Sequence, residues 1–232
     1  MLSLDATTIL TQGEVCIDFE KAAPETIKSI KLKSDGSVLC LGTHKNNGSV
    51  IIVDEGIVGN AIAGEDSYKI GGWGFPHSDV GSFPWIGLEA IRLTLQWIDG
   101  YIESSSMIEA IYKYFDGEPY KIVQWAMKIR QTPDEYRVIC DIVLHYLRLE
   151  DPYAKLIIKK TASEVDRTYQ QLQQNTKLDA LPCYLYGYIA PFVTPFLSEN
   201  TKKNITHPNG NGIAGALRLI RSSVHEKANS IV

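Results

Sequence analysis

The sequence predicts an α/β fold, in which a mixed sheet packs against a large helical block. The run at 50–53 is short, apolar and β-branched, which is typical of a strand buried on both faces. From Ser82 onward the apolar residues recur every three or four positions, which is the helical period. A second short strand pattern at 183–186 follows the helical region, so strands flank the helices in the chain and indicate a mixed layer architecture.

Each element has a local signal. Residues 24–70 alternate strand and turn patterns, with strands in SVIIV, IVGNAIAG and SYKI and a short helix over 37–43. A helix capped by Ser82 is expected to end at Gly100, and Thr132-Pro133-Asp134-Glu135 is a capping box with Pro at the first helical position. The remaining predictions are helices over 105–115, 120–129 and 134–149, a helix from Asp151, a strand at 183–186, a helix from near Pro191, a strand over 204–206 and a helix over 212–222.

Composition excludes several classes of protein. With 232 residues and 44% hydrophobic residues, the chain is long enough to bury a substantial core. A formal net charge of -4 carries no electrostatic footprint for nucleic acid. The uncharged stretch 180–198 contains three prolines, which argue against a membrane span. We therefore expect a globular protein that binds neither nucleic acid nor membrane.

The four cysteines, Cys16, Cys40, Cys140 and Cys183, are scattered and form no CxxC pair. This spacing is typical of reduced, buried thiols and predicts neither a disulfide framework nor a metal site. The N-terminal stretch has no basic region and meets Asp5 before any long apolar run, so it does not read as a secretory signal. Both observations predict a cytoplasmic protein.

The glycine-rich stretch GGWGFPHSDVGS, at 71–82, is a candidate binding loop that leads into a helix. Trp73 offers an apolar face to a ring, and Asp79 can accept two hydroxyl hydrogen bonds, a combination suited to a sugar. The alternative is a buried tryptophan beside an aspartate turn. His77 lies in the same loop without a paired carboxylate and is interpreted as a polar loop residue.

Three further candidates each have a structural alternative. Asp35 follows a strand pattern and precedes a helix, so it is either a general base or a helix cap. The segments GYIAP, at 187–191, and PNGNGIAGAL, at 208–217, are glycine turns that open helices and can hold a ligand at a helix start. Ordinary turns with close helix packing at Gly215 would produce the same pattern.

Together these segments resemble the C-terminal lobe of the BadF/BadG/BcrA/BcrD-type ATPase family, and within it the N-acetylglucosamine and glucosamine kinases. The resemblance runs from about Ile27 to Ile220, and its most specific motif is GGWGFPHSDVGSFPWIGLEAI. Further support comes from LKSDGSVLCLG, EDPYAKLIIKKTASEV, YLYGYIAP and PNGNGIAGAL.

The resemblance implies an actin-like, ribonuclease-H-like ATPase fold that moves the terminal phosphoryl group of Mg-ATP to a sugar hydroxyl. The implied substrate is a small amino sugar, N-acetylglucosamine or glucosamine, and the implied cofactors are ATP and Mg²⁺. The implied site residues are Asp35 as general base, Gly72, Trp73 and Asp79 at the sugar, Gly56 and Gly59 beside the phosphates, and Gly187 and Gly215 on the adenosine side.

Several positions depart from the family pattern. Where the family has Gly-Thr-Gly-Ser at the phosphates, this chain has Asp54-Glu55-Gly56-Ile57, and one carboxylate about 4 Å from a phosphate oxygen opposes binding by roughly 4 kcal/mol. Val80 replaces a glutamate and Tyr188 replaces a small residue.

The family's first lobe carries an Asp-Gly-Gly-Gly-Thr loop that does not precede Asp35. We therefore expect residues 1–26 to be a remnant of that lobe and residues 27–232 to be the C-terminal lobe. Two hypotheses remain open. One is a kinase of impaired activity whose other lobe is lost or supplied by another chain. The other is an inactive sugar-binding or interaction module, including a homo-oligomer.

Overall fold

The structure, a computed structural model, describes residues 7–11, 30–44, 47–128 and 133–229. The described strands are β1 (Thr7–Thr11), β2 (Ile30–Ser34), β3 (Gly48–Val53), β4 (Ile57–Ala63), β5 (Asp66–Gly71) and β6 (Cys183–Tyr186). β1 and β2 form a parallel pair, and the other four form a sheet in the order β5-β4-β3-β6. Because β3 is antiparallel to β4 and parallel to β6, the predicted mixed sheet is confirmed.

The described helices are α1 (Asp35–Thr43), α2 (Phe83–Ile98), α3 (Ser106–Tyr114), α4 (Pro119–Lys128), α5 (Arg137–Arg148), α6 (Pro152–Thr176), α7 (Ala190–Val193), α8 (Glu199–Lys202) and α9 (Gly212–Asn229), with 3-10 turns at Pro133–Tyr136 and Thr194–Phe196. The core lies between the sheet and α2, α5 and α6. The side chain of Tyr169 on α6 is fully buried, and its hydroxyl donates to the carbonyl of Leu181 at 2.7 Å. This bond ties the longest helix to the chain entering β6.

The sheet brings two of the predicted turns to one edge. β3 and β6 run parallel, so Asp54 and Gly187, which follow them, lie at the same edge. The register pairs Val53 with Ile57, which leaves residues 54–56 as a tight hairpin between β3 and β4. The opening between these strand ends and the helical block is where a ligand site is expected in an α/β sheet.

Three boundaries differ from the sequence predictions. The helix expected over 37–43 begins at Asp35, because Ser34 accepts a hydrogen bond from the Ser37 N–H and supplies the cap. The helix expected over 134–149 opens as a 3-10 turn, and its α-helical part begins at Arg137. The strand expected over 204–206 is an isolated bridge between Ile205 and Cys183. The predicted helix end at Ile129 and the capping residue Thr132 lie outside the described residues.

The C-terminal helix α9 packs on α1 through glycines. A Cβ atom added at Gly215 would lie 1.9 Å from the carbonyl oxygen of Val38, and one added at Gly42 would lie 1.8 Å from that of Asn211. The two backbones therefore approach closely, as the structural alternative for Gly215 expected. β1 lies within residues 1–26 and pairs with β2, and the division of the chain at residue 26 stays a prediction.

The three cysteines in the described ranges, Cys40, Cys140 and Cys183, are buried free thiols, and Cys16 lies outside those ranges. Burial raises the pKa of the Cys183 thiol to about 11, so this group is protonated and unreactive at neutral pH. Among the described residues, no helix combines the length and apolar character that crossing a bilayer requires.

Candidate functional site

The glycine-rich loop after β5 is organised by the carboxylate of Asp79. This side chain is only 7% exposed, and its own backbone has a positive φ of 61°. Its Oδ1 accepts the backbone N–H groups of Ile57 at 3.3 Å and Gly72 at 3.1 Å, and its Oδ2 accepts that of Gly74 at 2.8 Å. Asp79 therefore holds the loop against the start of β4. The expectation of an aspartate turn is correct.

Trp73 lies in the same loop, and its side chain is 81% exposed. The alternative of a buried tryptophan is therefore wrong. Because a large aromatic ring left in water gains nothing for folding, its exposure beside a braced loop is a feature of ligand sites. The flanking Gly72 and Gly74 both have positive φ, which lets the chain turn on each side of the indole.

Asp35 occupies the first turn of α1, and the cap position belongs to Ser34. The Asp35 side chain is half-buried, and its Oδ1 accepts the N–H of Gly36 at 2.7 Å. Asn60 of β4 lies beneath this turn, with its Oδ1 accepting from the Ser37 hydroxyl at 3.3 Å. The Nδ2 of Asn60 is buried and, among the described residues, donates to no acceptor.

The start of α1 and the glycine loop lie over one face of β4. A Cβ atom on Gly36 would meet Asn60 Nδ2 at 2.1 Å, and one on Gly72 would meet Val58 Cγ2 at 3.2 Å. Val58 and Asn60 are two residues apart, so their side chains project from the same face roughly 7 Å from each other. The structure thus brings the predicted base, Asp35, to the same surface as the predicted sugar loop.

The hairpin after β3 contains the two unexpected acids. Asp54 Oδ1 is buried and, within the described part of the chain, accepts no hydrogen bond. Arg137, the first residue of α5, places Nη2 3.6 Å from this oxygen. Partial desolvation, followed by the charges of Asp134 and Asp54, raises the pKa of the neighbouring Glu55, although this residue is exposed. Arg137 therefore places a positive charge beside the acids of this turn.

Two aromatic rings hold Arg137 in place. Its guanidinium carbon lies 4.4 Å from the centroid of Phe83 and 5.0 Å from that of Tyr188. The Tyr188 hydroxyl donates to Asp141 Oδ1 at 2.8 Å, and this hydrogen bond raises the pKa of Tyr188. Tyr188 therefore bridges the β6–α7 loop and α5, across the mouth of the hairpin.

Beside this bridge an open groove of about 490 Å³ follows the end of β6. Its walls include Asp54, Gly187, the tyrosines 184, 186 and 188, and His207. A Cβ atom on Gly187 would lie 2.4 Å from the carbonyl oxygen of Val53, so this glycine lets the loop touch the end of β3. The groove therefore has aromatic walls and one carboxylate, that of Asp54.

The residues at the hairpin do not fit the phosphates of ATP. A Cβ atom on Gly56 would lie 3.4 Å from Asp79 Oδ2, so this glycine has the Asp79 carboxylate on one side and the Asp54 and Glu55 carboxylates preceding it. Anionic oxygens repel phosphate strongly at these separations. Among the described residues, no group of three or more His, Cys, Asp or Glu side chains is arranged to hold a metal ion.

The structure separates the predicted glycines by environment. Gly56 and Gly187 lie at the open edge of the sheet. Gly59 lies inside β4 under α6, where a Cβ atom would meet Thr168 Cγ2 at 2.7 Å. Gly215 lies at the crossing of α1 and α9. Packing explains the last two glycines, and a cofactor role for any of the four stays a prediction.

Sequence reasoning missed three residues. Asn60 had a local signal, because it is a polar residue inside the apolar strand IVGNAIA. Arg137 and Asp141 had none, because they come from α5, far along the chain from the hairpin and from Tyr188. Only the packing of α5 against the sheet edge brings them to the site.

Comparisons with known proteins agree with this architecture. The model of the BadF/BadG/BcrA/BcrD ATPase family matches residues 8–218. The chain is 28% identical over 198 residues to the glucosamine kinase GspK of Vibrio cholerae, a match that covers 85% of this chain and 66% of that protein. It therefore spans slightly less than two thirds of this relative.

Solved structures show the same fold. A protein assigned as an N-acetylglucosamine kinase from Chromobacterium violaceum is 26% identical with a TM-score of 0.75, over 88% of this chain and 70% of that one. One with the same assignment from Porphyromonas gingivalis is 14% identical with a TM-score of 0.65, over 94% and 76%. A ROK family glucokinase from Streptomyces griseus, in complex with glucose and AMPPNP, is 12% identical with a TM-score of 0.52, over 83% and 68%. The fold is thus that of the actin-like sugar kinases.

Proposed function

Because the chain belongs to the BadF/BadG/BcrA/BcrD ATPase family, we propose that it binds an amino sugar at a sugar-kinase site whose phosphate half is impaired. The relatives named above as glucosamine and N-acetylglucosamine kinases support these two sugars as ligands. The observation that carries the proposal is the Asp79-braced loop, which contains the exposed Trp73 and meets the same face of β4 as the start of α1 at Asp35.

Each residue has a defined task in this proposal. The Trp73 ring packs on the apolar face of the sugar. Asp79 holds the loop with three of its roughly four acceptor positions and leaves one for a sugar hydroxyl. Asp35 accepts the proton of the hydroxyl that is phosphorylated, since a half-buried carboxylate next to a helix start is a suitable general base. Gly72 allows the sugar to approach the backbone.

Phosphoryl transfer relies on positioning and on charge stabilisation around the phosphates. The Asp54 and Glu55 carboxylates act against both, so we expect ATP-dependent phosphorylation of the amino sugar to be slow. No role for Mg²⁺ follows from the described side chains. The family resemblance assigns part of the ATP cleft to a first lobe, and the full reaction would require that lobe as well.

Titration calorimetry with N-acetylglucosamine and with glucosamine tests the sugar site. We expect saturable binding of at least one sugar, and about tenfold weaker binding by Trp73→Ala because it loses a stacking contact. Tyr101→Ala is the matched control, because Tyr101 is a 79% exposed aromatic residue in the loop after α2. Asp35→Asn is expected to keep the sugar affinity and to abolish any sugar-dependent ATP turnover. No binding of either sugar by the unmodified protein would refute the proposal.

A second candidate, self-association, is favoured by one exposed stripe on α4. Tyr120, Val123 and Met127 recur at helical spacing and are 70%, 43% and 73% exposed. Acidic residues at 116 and 118 precede this helix and Lys128 ends it, so two antiparallel copies would pair opposite charges. Light scattering decides this candidate: a monomer excludes it, and a dimer that Met127→Lys dissociates supports it.

We further propose a reducing, cytoplasmic location. The three described cysteines are buried free thiols, which suits a compartment where disulfides do not form.

A further inference from the structure

Two buried side-chain oxygens near the start of α2, Asp54 Oδ1 and Ser82 Oγ, have no hydrogen-bond partner among the described residues. The Asp54 carbonyl accepts the N–H of Phe83, the first residue of this 16-residue helix, at 2.9 Å. Ser82 occupies the N-cap position and is fully buried, yet its hydroxyl makes no capping hydrogen bond and has no partner among the described residues. The first turn of α2 contains no acidic residue. The Phe83 N–H is taken by the Asp54 carbonyl and Pro84 has no N–H, so this helix end offers its partial positive charge and the unused Ser82 hydroxyl.

Arg137 adds a full positive charge at the same place. Its guanidinium lies over the Phe83 ring at 4.4 Å and 3.6 Å from Asp54 Oδ1. The charge of the guanidinium and the partial positive charge of the helix start both favour an anion nearby. The Asp54 carboxylate is the anion that lies there in this chain.

We propose that the Asp54 carboxylate is an internal anion, which pairs with Arg137 beside the start of α2 and so excludes the polyphosphate of a nucleotide. The proposal rests on the proposed function, because the excluded group is that of the phosphoryl donor. Asp54 Oδ1 accepts no hydrogen bond from a described residue, so its attraction to the Arg137 guanidinium at 3.6 Å is one of charge. Glu55 and Asp134 remain as negative charges beside the site, and Arg137 is the cation that faces them.

Titration calorimetry with inorganic triphosphate, in the full chain at low salt, tests this proposal. Asp54→Asn removes the charge and keeps the shape, and we expect it to bind triphosphate at least about tenfold more tightly than the unmodified protein. Asp66→Asn, which makes the same charge change at an exposed position on β5, is the control and is expected to change nothing. Asp54→Asn combined with Arg137→Gln is expected to lose the gain.

Asp54→Ser provides a second route if the asparagine variant folds poorly, with circular dichroism as the check. An affinity for triphosphate that stays the same in both folded Asp54 variants would overturn the proposal. So would a gain that survives the loss of Arg137. The sugar affinity is measured in the same samples. If neither sugar binds, the proposed function is refuted, and the triphosphate affinities of the variants can still be compared.

Discussion

Gly56 lies between two aspartates that use the same functional group differently. The carboxylate of Asp79 accepts three backbone N–H groups and holds a loop together. That of Asp54 has a buried oxygen without a hydrogen bond from any described group and is balanced by the guanidinium of Arg137 at 3.6 Å. The Asp79 carboxylate therefore has a structural role, because its hydrogen bonds hold the loop. The Asp54 carboxylate is held by a cation alone, and another anion could take its place.

The difference divides the site into two halves. On the Asp79 side, the exposed Trp73 and the nearby Asp35 leave a surface that a ligand can cover. On the Asp54 side, the hairpin is covered by Arg137, which pairs with Asp54 and packs on Tyr188. Substitutions of Asp79 should therefore cost stability, and substitutions of Asp54 should change what binds.

The largest expected effect is that of Asp79→Ala. It leaves the N–H groups of Ile57 and Gly74 without their acceptor and removes one of the two acceptors of Gly72, and we expect the free energy of unfolding to fall by about 3 kcal/mol, measured by urea denaturation. Asp66→Ala, at an exposed position, is expected to change it by less than about 0.5 kcal/mol. A loss below about 1 kcal/mol for Asp79→Ala would mean that the loop does not depend on this carboxylate.

An intermediate effect is expected for Arg137→Ala. The variant loses two cation–π contacts and the ion pair with Asp54, so the free energy of unfolding should fall by about 1.5 kcal/mol. Arg92→Ala is the matched control, because Arg92 forms an exposed ion pair with Glu89 within α2. Adding Asp54→Asn to Arg137→Ala should recover part of the loss, since no uncompensated carboxylate is left. An additive double variant would contradict the pairing of Asp54 with Arg137.

The smallest effect concerns Glu55, whose pKa is raised by partial desolvation and by the charges of Asp134 and Asp54. The folded state then holds this proton more tightly than the unfolded state. Stability therefore falls as the pH rises from about 4.5, the ordinary value, through the raised pKa. Glu55→Gln should stabilise the protein by about 0.3 kcal/mol at pH 7, and the gain should vanish below pH 4. Denaturation at both pH values, with Glu65→Gln as the exposed control, measures the difference. A gain that is equal at both pH values would contradict this cause.

The fold followed from local patterns, because a β-branched run and a helical period depend only on near neighbours. The face of α2 was less predictable. The residues that recur at helical spacing are Trp85, Leu88, Ile91, Leu95 and Ile98. Ile91 is buried, but the fully buried positions include Phe83 and Ile86, which lie outside that pattern. Gly87 lets the Tyr136 backbone approach this side of the helix to within 2.9 Å of where a Cβ would lie, which turns that face toward the core.

The site was predictable where it is built from one continuous segment. The loop at 71–82 supplies both Trp73 and Asp79. Asp35 was predicted to lie at a helix start, and the cap of that helix is the adjacent Ser34. The compensation of Asp54 was not predictable, because Arg137 comes from a distant helix and Tyr188 from the loop after β6. The two acids, Asp54 and Glu55, are visible in the sequence, but only the folded structure shows that Arg137 lies beside them.

We propose that this chain keeps the sugar half of the site and has filled the phosphate half. Thermal unfolding of one preparation with N-acetylglucosamine, glucosamine and Mg-ATP in turn tests it most directly. We expect at least one amino sugar, at about ten times its dissociation constant, to raise the unfolding temperature by roughly 4 °C, and Mg-ATP to leave it unchanged. A rise with Mg-ATP and none with either sugar would contradict the account.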